Sequence, residues 1–236
     1  MKKIITFRVA AVAVIMMFSG VISAFASTDS TPGNAVEEKI VALTFDDGPS
    51  ATTTDQVLDR LQKYDVTASF FVIGKHVNDS TIHAMKRAHD MGCEINSHSF
   101  SHVDMRNSTP DSLRKEMSKT DTIIRSVTGR NARFFRPVYL YTDSLMFENI
   151  DKTFIAGLFS DTWGTAEERA SQILAKIKPG CVFLLHDWEG NTPSVEALDI
   201  IIPKLLEDGY KFVTVSELFD KRGVKPVKGK VYTIAE

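Results

Sequence analysis

Short β-rich runs alternate with helix-patterned segments along almost the whole 236-residue chain, and that alternation leaves few folds open. The run Ile40-Val-Ala-Leu-Thr-Phe45 ends on the turn signal Asp46-Asp47-Gly48-Pro49. Thr52 to Tyr64 follows, with Val57, Leu58 and Leu61 at helical spacing. Thr67 to Gly74 predicts a second strand, His83 to Met91 a helix closed by Gly92, and Cys93 to Ser97 a third strand. Thr109 and Pro110 are the N-cap and first residue of a long helix that Gly129 closes. Arg133 to Arg136 and Phe154 to Ser160 predict strands, and Ala166 to Lys178 a helix. Cys181 to His186 reads as an apolar strand. Val195 to Asp208 reads as a helix kinked at Pro203, and Lys211 to Val215 as the last strand. Strands alternating with helices imply an α/β fold, a parallel sheet flanked by helices, and about seven strands can close into a barrel. No internal repeat or interior linker interrupts the pattern, so a single domain over residues 39–220 is expected. Residues 221–236 open with a run rich in Lys, Gly and Pro and are expected to trail off as a tail.

The first 26 residues stand apart. Lys2, Lys3 and Arg8 make a basic start, Val9 to Ile22 is apolar, and Ala24-Phe25-Ala26 offers a small-residue cleavage site. That order predicts a secretory signal peptide. An uncleaved anchor is the alternative, but the apolar run falls short of the roughly 20 residues a spanning helix needs. Residues 27–38, small, polar or acidic, are expected to be a flexible lead-in. The chain beyond Ala26 carries 25 Lys and Arg against 30 Asp and Glu, a mildly acidic balance. Such a chain has no electrostatic footprint for nucleic acid or for an anionic membrane once the leader is removed. Cys93 and Cys181 form no Cys-x-x-Cys motif, and a disulfide or two buried thiols both remain open.

In parallel α/β folds, functional groups gather at the carboxyl ends of strands. Three candidate groups lie at such ends. Asp46 and Asp47 follow the first strand, and adjacent carboxylates can split the work of metal binding and proton transfer, or merely form a turn. His98 and His102 follow the third strand; four residues apart, they share one face of a helical turn, where both imidazoles can reach one ion. His186 ends the apolar strand Cys181 to His186 and suits a general acid if it shares a cleft with the carboxylates. Arg136 closes another strand, where it can hold a carboxylate ionised. His76, His83 and His89 read as surface residues without partners.

Taken in order, Asp46-Asp47, His98-x-x-x-His102, Arg136-Pro137 and Leu184-x-His186 resemble the polysaccharide deacetylases, the NodB-homology domain of carbohydrate esterase family 4. The resemblance spans Lys39 to Phe219 and includes Ala68 to Gly74 and Gly209 to Val215. It implies a distorted (β/α) barrel with its site at one mouth. It implies that Asp47, His98 and His102 bind a divalent ion, zinc or cobalt, and that Asp46 is the base with Arg136 as its ion-pair partner. The Tyr139 backbone N–H would bind the oxyanion, Leu184 would line the acetyl pocket, Trp163 would border the substrate, and His186 would be the acid. The substrate would be an acetylated polysaccharide or oligosaccharide, handled outside the cell by a monomer. Two alternatives stand beside this reading: a glycan- or wall-binding protein on the same scaffold, and a metal-dependent phosphoesterase.

Three positions depart from the family pattern. Val138 replaces a proline and Leu140 a glycine, which puts the aim of the Tyr139 N–H in question. Thr162 stands where the family carries an aspartate that tunes the acidic histidine, with Asp161 one place earlier. Without that carboxylate His186 would be a weaker acid, so O-acetyl esters are expected to be cleaved more readily than N-acetyl amides.

Overall fold

The computed structural model describes residues 38–236; the expected leader and most of the lead-in lie outside the described residues. The strands are β1 (Ile40–Asp46), β2 (Ser69–Val72), β3 (Glu94–Ser97), β4 (Phe134–Phe135), β5 (Thr153–Ile155), β6 (Leu158–Phe159), β7 (Val182–His186), β8 (Lys211–Phe212) and β9 (Val231–Tyr232). The helices are α1 (Thr53–Tyr64), α2 (Ile82–Asp90), α3 (Pro110–Thr128), α4 (Ser144–Asn149), α5 (Ala166–Leu174), α6 (Thr192–Glu207) and α7 (Val215–Lys221). The sheet runs β6-β7-β1-β2-β3-β4-β5-β9, with β8 also paired to β1, and every ladder is parallel. This is the expected α/β barrel-like domain, with nine strands among the described residues in place of about seven.

β1 is central because all seven of its residues are buried, as a strand covered on both faces requires. α1 lays Val57, Leu58 and Leu61 on the sheet. α3 starts as expected: the Thr109 side chain accepts from the Ser112 N–H, Pro110 opens the first turn, and Gly129 ends it at φ 75°.

The structure corrects four boundaries. The strand expected over Phe154 to Ser160 breaks into β5 and β6 at Ala156-Gly157. There the Ala156 carbonyl turns inward to accept from Arg136, and a Cβ on Gly157 would lie 3.0 Å from the Leu184 Cβ. α5 stops at Leu174 rather than Lys178, its end tightening into a turn in which the Lys176 N–H donates to the Ile173 carbonyl. The strand expected through Val215 ends at Phe212, because Thr214 and Glu217 form a reciprocal capping box that starts α7. Lastly, residues 221–236 do not trail away as a tail. Their Lys, Gly and Pro make a loop, and the Val-Tyr-Thr-Ile stretch behind it forms β9 beside β5 and a bridge from Ile234 to Cys181. Tyr232 and Ala235 are buried by that closure.

Candidate functional site

The parallel register brings the ends of β1, β3, β4 and β7 to one mouth. Asp46 pairs with His186 across β1 and β7, and Ser97 with Phe135 across β3 and β4. Asp46 and His186 are thus strand ends, while His98 and Arg136 are the first residues beyond their strands.

Asp46 is buried, and its Oδ1 accepts from Arg136 Nη1 at 2.6 Å. The guanidinium is wholly buried, lies 4.0 Å above the Phe71 ring, and donates from Nη2 to the Ala156 carbonyl. Burial pulls its pKa down from the usual arginine value, and the Asp46 charge opposes that. A buried charge without a partner is expensive, so each of this pair needs the other.

Asp47 sits at φ 75°. Its Oδ1 lies 3.1 Å from His102 Nε2 and 3.4 Å from His98 Nε2. Burial alone would raise the Asp47 carboxyl, but the His102 and His98 imidazoles outweigh it and hold the group well below the usual carboxylate range. His98 Nδ1 faces the Arg136 carbonyl at 2.7 Å. With Nδ1–H donating there, Nε2 turns its lone pair to the cluster, as a ligating imidazole requires.

His98 and His102 meet, but not on a helical turn as expected. Ser99 and His102 take positive φ values of 70° and 57°. The loop wraps the Glu116 carboxylate of α3, which accepts from the Phe100 and Ser101 N–H groups and from Ser101 Oγ. Nothing in the local spacing pointed to Glu116, because it reaches the loop from another element. The resulting ligand atoms of Asp47, His98 and His102 lie within 4.8 Å of one another. A tetrahedral zinc with bonds of about 2.1 Å would set its ligand atoms about 3.4 Å apart. The two Asp47–imidazole distances match, and Asp47 Oδ1 is a buried oxygen without a hydrogen bond. These residues fit a divalent ion.

The other implied residues, Tyr139, Leu184, His186 and Trp163, border the same cleft of about 560 Å³, and the structure adds Leu140 and Trp188 to its lining. Leu184 is buried, whereas Tyr139 and Trp163 are exposed. Tyr139 and Leu140 take φ values of 55° and 59°, so Leu140 adopts the left-handed backbone that a glycine would reach without strain. The His186 ring packs against Trp188 with centroids 4.8 Å apart, the two planes tilted by 48°. Burial lowers its pKa, only partly offset by the Asp46 and Asp47 charges.

Asp161 does not reach His186. Its Oδ1 accepts from the Trp163 N–H and its own N–H donates to Gln172, which makes it a turn residue. The Thr162 carbonyl instead accepts from the buried Arg169, which also donates to the Gly164 carbonyl, Asn191 and Ser194. Asn191 in turn donates to the His186 carbonyl. Arg169 was not singled out by sequence, since an arginine on a helix ordinarily faces solvent.

Two further residues differ from expectation. His76 and His83 are not without partners: His76 Nδ1 lies 2.9 Å from the Asp47 carbonyl, and His83 Nε2 lies 2.8 Å from Asp55. Asp187 is buried behind the site, accepts from Thr54 Oγ1 and donates its N–H to the Asp46 carbonyl. A Cβ on Gly48 would fall 2.3 Å from Asp187 Oδ2, so glycine is required there. Cys93 and Cys181 are both buried free thiols.

A barrel of parallel strands with a carboxylate–imidazole cluster at its carboxyl mouth puts that cluster where α/β enzymes carry their chemistry. The family model described as polysaccharide deacetylase matches residues 33–158. A bifunctional xylanase/deacetylase of Pseudobutyrivibrio xylanivorans is 43% identical over 85% of this chain, which spans 34% of that longer protein. A peptidoglycan-N-acetylglucosamine deacetylase of Bacillus cereus is 33% identical, over 83% of this chain and 72% of its own. A family 4 acetyl xylan esterase of Clostridium thermocellum, solved with a cobalt ion, superposes with a TM-score of 0.80 at 43% identity, over 83% of this chain and 98% of its own. The chain belongs to the polysaccharide deacetylase family and is a hydrolase.

Proposed function

We propose that the chain removes O-acetyl groups from acetylated xylan, with a divalent ion, zinc or cobalt, held by Asp47, His98 and His102. One observation carries the reading: that three-ligand cluster adjoins the buried Asp46–Arg136 pair inside a cleft walled by Leu184, Trp163 and Trp188. A divalent ion at such a site acidifies a water and polarises the acetyl carbonyl. The chain's own groups do the rest. Asp46, ion-paired with Arg136, takes the proton of the attacking water. The Tyr139 N–H is offered to the developing oxyanion, a favourable electrostatic contribution. Leu184 bounds the space for the acetyl methyl group. The sugar oxygen leaves with a proton passed back through His186.

The ester preference rests on His186. No carboxylate accepts from its ring among the described residues, and burial favours its neutral form. A neutral imidazole is a poor proton donor, and an amine leaving group needs that proton more than a sugar alkoxide does. The likeness to a xylanase/deacetylase and an acetyl xylan esterase supports the same substrate class, whereas the Bacillus cereus relative supports an amide substrate. The order of basic, apolar and small residues in 1–26 supports work outside the cell. Acetate release from acetylated xylan, N-acetyl chito-oligomers and peptidoglycan tests the choice. Xylan should be the best substrate, and preference for the N-acetyl oligomers would overturn the ester reading.

A further inference from the structure

The turn that carries Asp47 is held by a neighbour outside the ligand cluster. Asp47 takes φ 75°, a left-handed conformation that L residues other than glycine rarely adopt. Such a backbone persists only where its surroundings fix it. The segment after β2 does so at two successive carbonyls. The Ile73 N–H donates to the Gly48 carbonyl at 2.9 Å, and the half-buried His76 ring meets the Asp47 carbonyl through Nδ1, also at 2.9 Å. A carbonyl only accepts, so Nδ1 carries the proton in that contact.

His76 is itself fixed. Its N–H donates to the Ile73 carbonyl, and its carbonyl accepts from Thr81 Oγ1 at 2.6 Å and from Asn78 Nδ2 at 3.1 Å. Thr81 also holds the Asn78 N–H through Oγ1. The imidazole therefore projects from a braced turn rather than a free loop. On the other side, the buried Asp187 carboxyl fills the space beside Gly48. The Asp47 turn is gripped from both flanks, but among the described residues only His76 meets the Asp47 carbonyl with a side-chain donor.

We infer that His76 is a positioning residue for the metal centre: it locks the left-handed Asp47 backbone so that Oδ1 faces His98 and His102. The inference rests on the reading of Asp47, His98 and His102 as ligands. Asp47 supplies the only carboxylate of the three, and its Oδ1 approaches both imidazoles to 3.1 and 3.4 Å. A small rotation about its backbone would break both distances. Groups that orient metal ligands commonly change affinity by about 10–100-fold when removed.

The test is the zinc dissociation constant, measured by competition with a chromophoric chelator on chelator-stripped protein. Three chains are compared: wild type, His76→Ala and His76→Asn. An asparagine amide can place a donor near the Nδ1 position without an imidazole. His76→Ala should bind zinc about 10–100-fold more weakly, and His76→Asn should recover most of that loss. Melting of the stripped proteins, read in parallel, should place both variants close together, so that the affinity difference is not one of folding. Equal affinity in His76→Ala and wild type overturns the inference, as does an Asn variant as weak as Ala. A wild-type chain that takes up no zinc removes the ligand reading first, and the role of His76 with it.

Discussion

Asp46 and Asp47 are neighbours in sequence with opposite surroundings, and that difference separates their work. Asp46 faces the buried Arg136 guanidinium at 2.6 Å, whereas Asp47 faces two imidazoles. Asp46→Asn should therefore keep its metal and lose turnover by about a hundredfold, the scale of a removed general base. Asp47→Ala should lose both. Metal analysis beside acetate release checks this, and a metal-free Asp46→Asn would show the roles reversed. Asp187 makes a different point. Burial, with the Asp47 and Asp46 charges beside it, pushes its pKa up to about 7. An ordinary aspartate in the unfolded chain ionises near 3.9. Between those values the folded state binds the extra proton, so stability is present at low pH and drains away as pH rises from about 4 to about 7. In chelator-stripped protein, Asp187→Asn should gain on wild type across that window by up to about 4 kcal/mol. Urea unfolding at both ends measures it, and a constant difference between the two proteins would contradict the assignment.

At the level of elements, the loops set the chemistry that the strands only deliver. The turn over Asp161 to Gly164 is pinned by Arg169 through the Thr162 and Gly164 carbonyls, and it presents Trp163 at the cleft without a carboxylate for His186. Thr162→Asp should accordingly raise turnover of N-acetyl oligomers more than that of acetylated xylan. A rise of equal size on both substrates would show that His186 protonation does not choose between them. Every long element was legible in the sequence, because period and caps are local signals: β1 from its apolar run, α3 from Thr109, Pro110 and Gly129. What misled was local as well. The spacing of His98 and His102 suggested a helical turn, yet Glu116 folds the loop from 15 and 16 residues further along the chain. The Lys-rich stretch from Lys221 hid β9, because a two-residue strand has too little period to read. Arg169 and His76 act through backbone carbonyls, and no spacing rule marks those contacts.

For the whole molecule, the closing of the barrel places the site. The C-terminal segment hydrogen-bonds to β5 on one flank and to the start of β7 on the other, through the Tyr232 carbonyl to Ala156 and the Thr233 carbonyl to Val182. That closure holds β7, and so His186, in register with β1. The far end of the molecule carries a hollow of about 630 Å³ lined by Glu38, Lys221 and Lys225, but it lacks the carboxylate–imidazole grouping that chemistry needs. Among the described residues no helix is long and apolar enough to cross a membrane. The central claim, that a divalent ion on Asp47, His98 and His102 is required for acetyl removal, is tested most directly by one titration. Acetate released from acetylated xylan is followed in chelator-stripped protein while zinc or cobalt is restored to one equivalent. Release should be absent at the start and should rise in proportion to ion bound, reaching its plateau at one ion per chain. Full release by the stripped protein, or a plateau unchanged in His98→Ala, would contradict it.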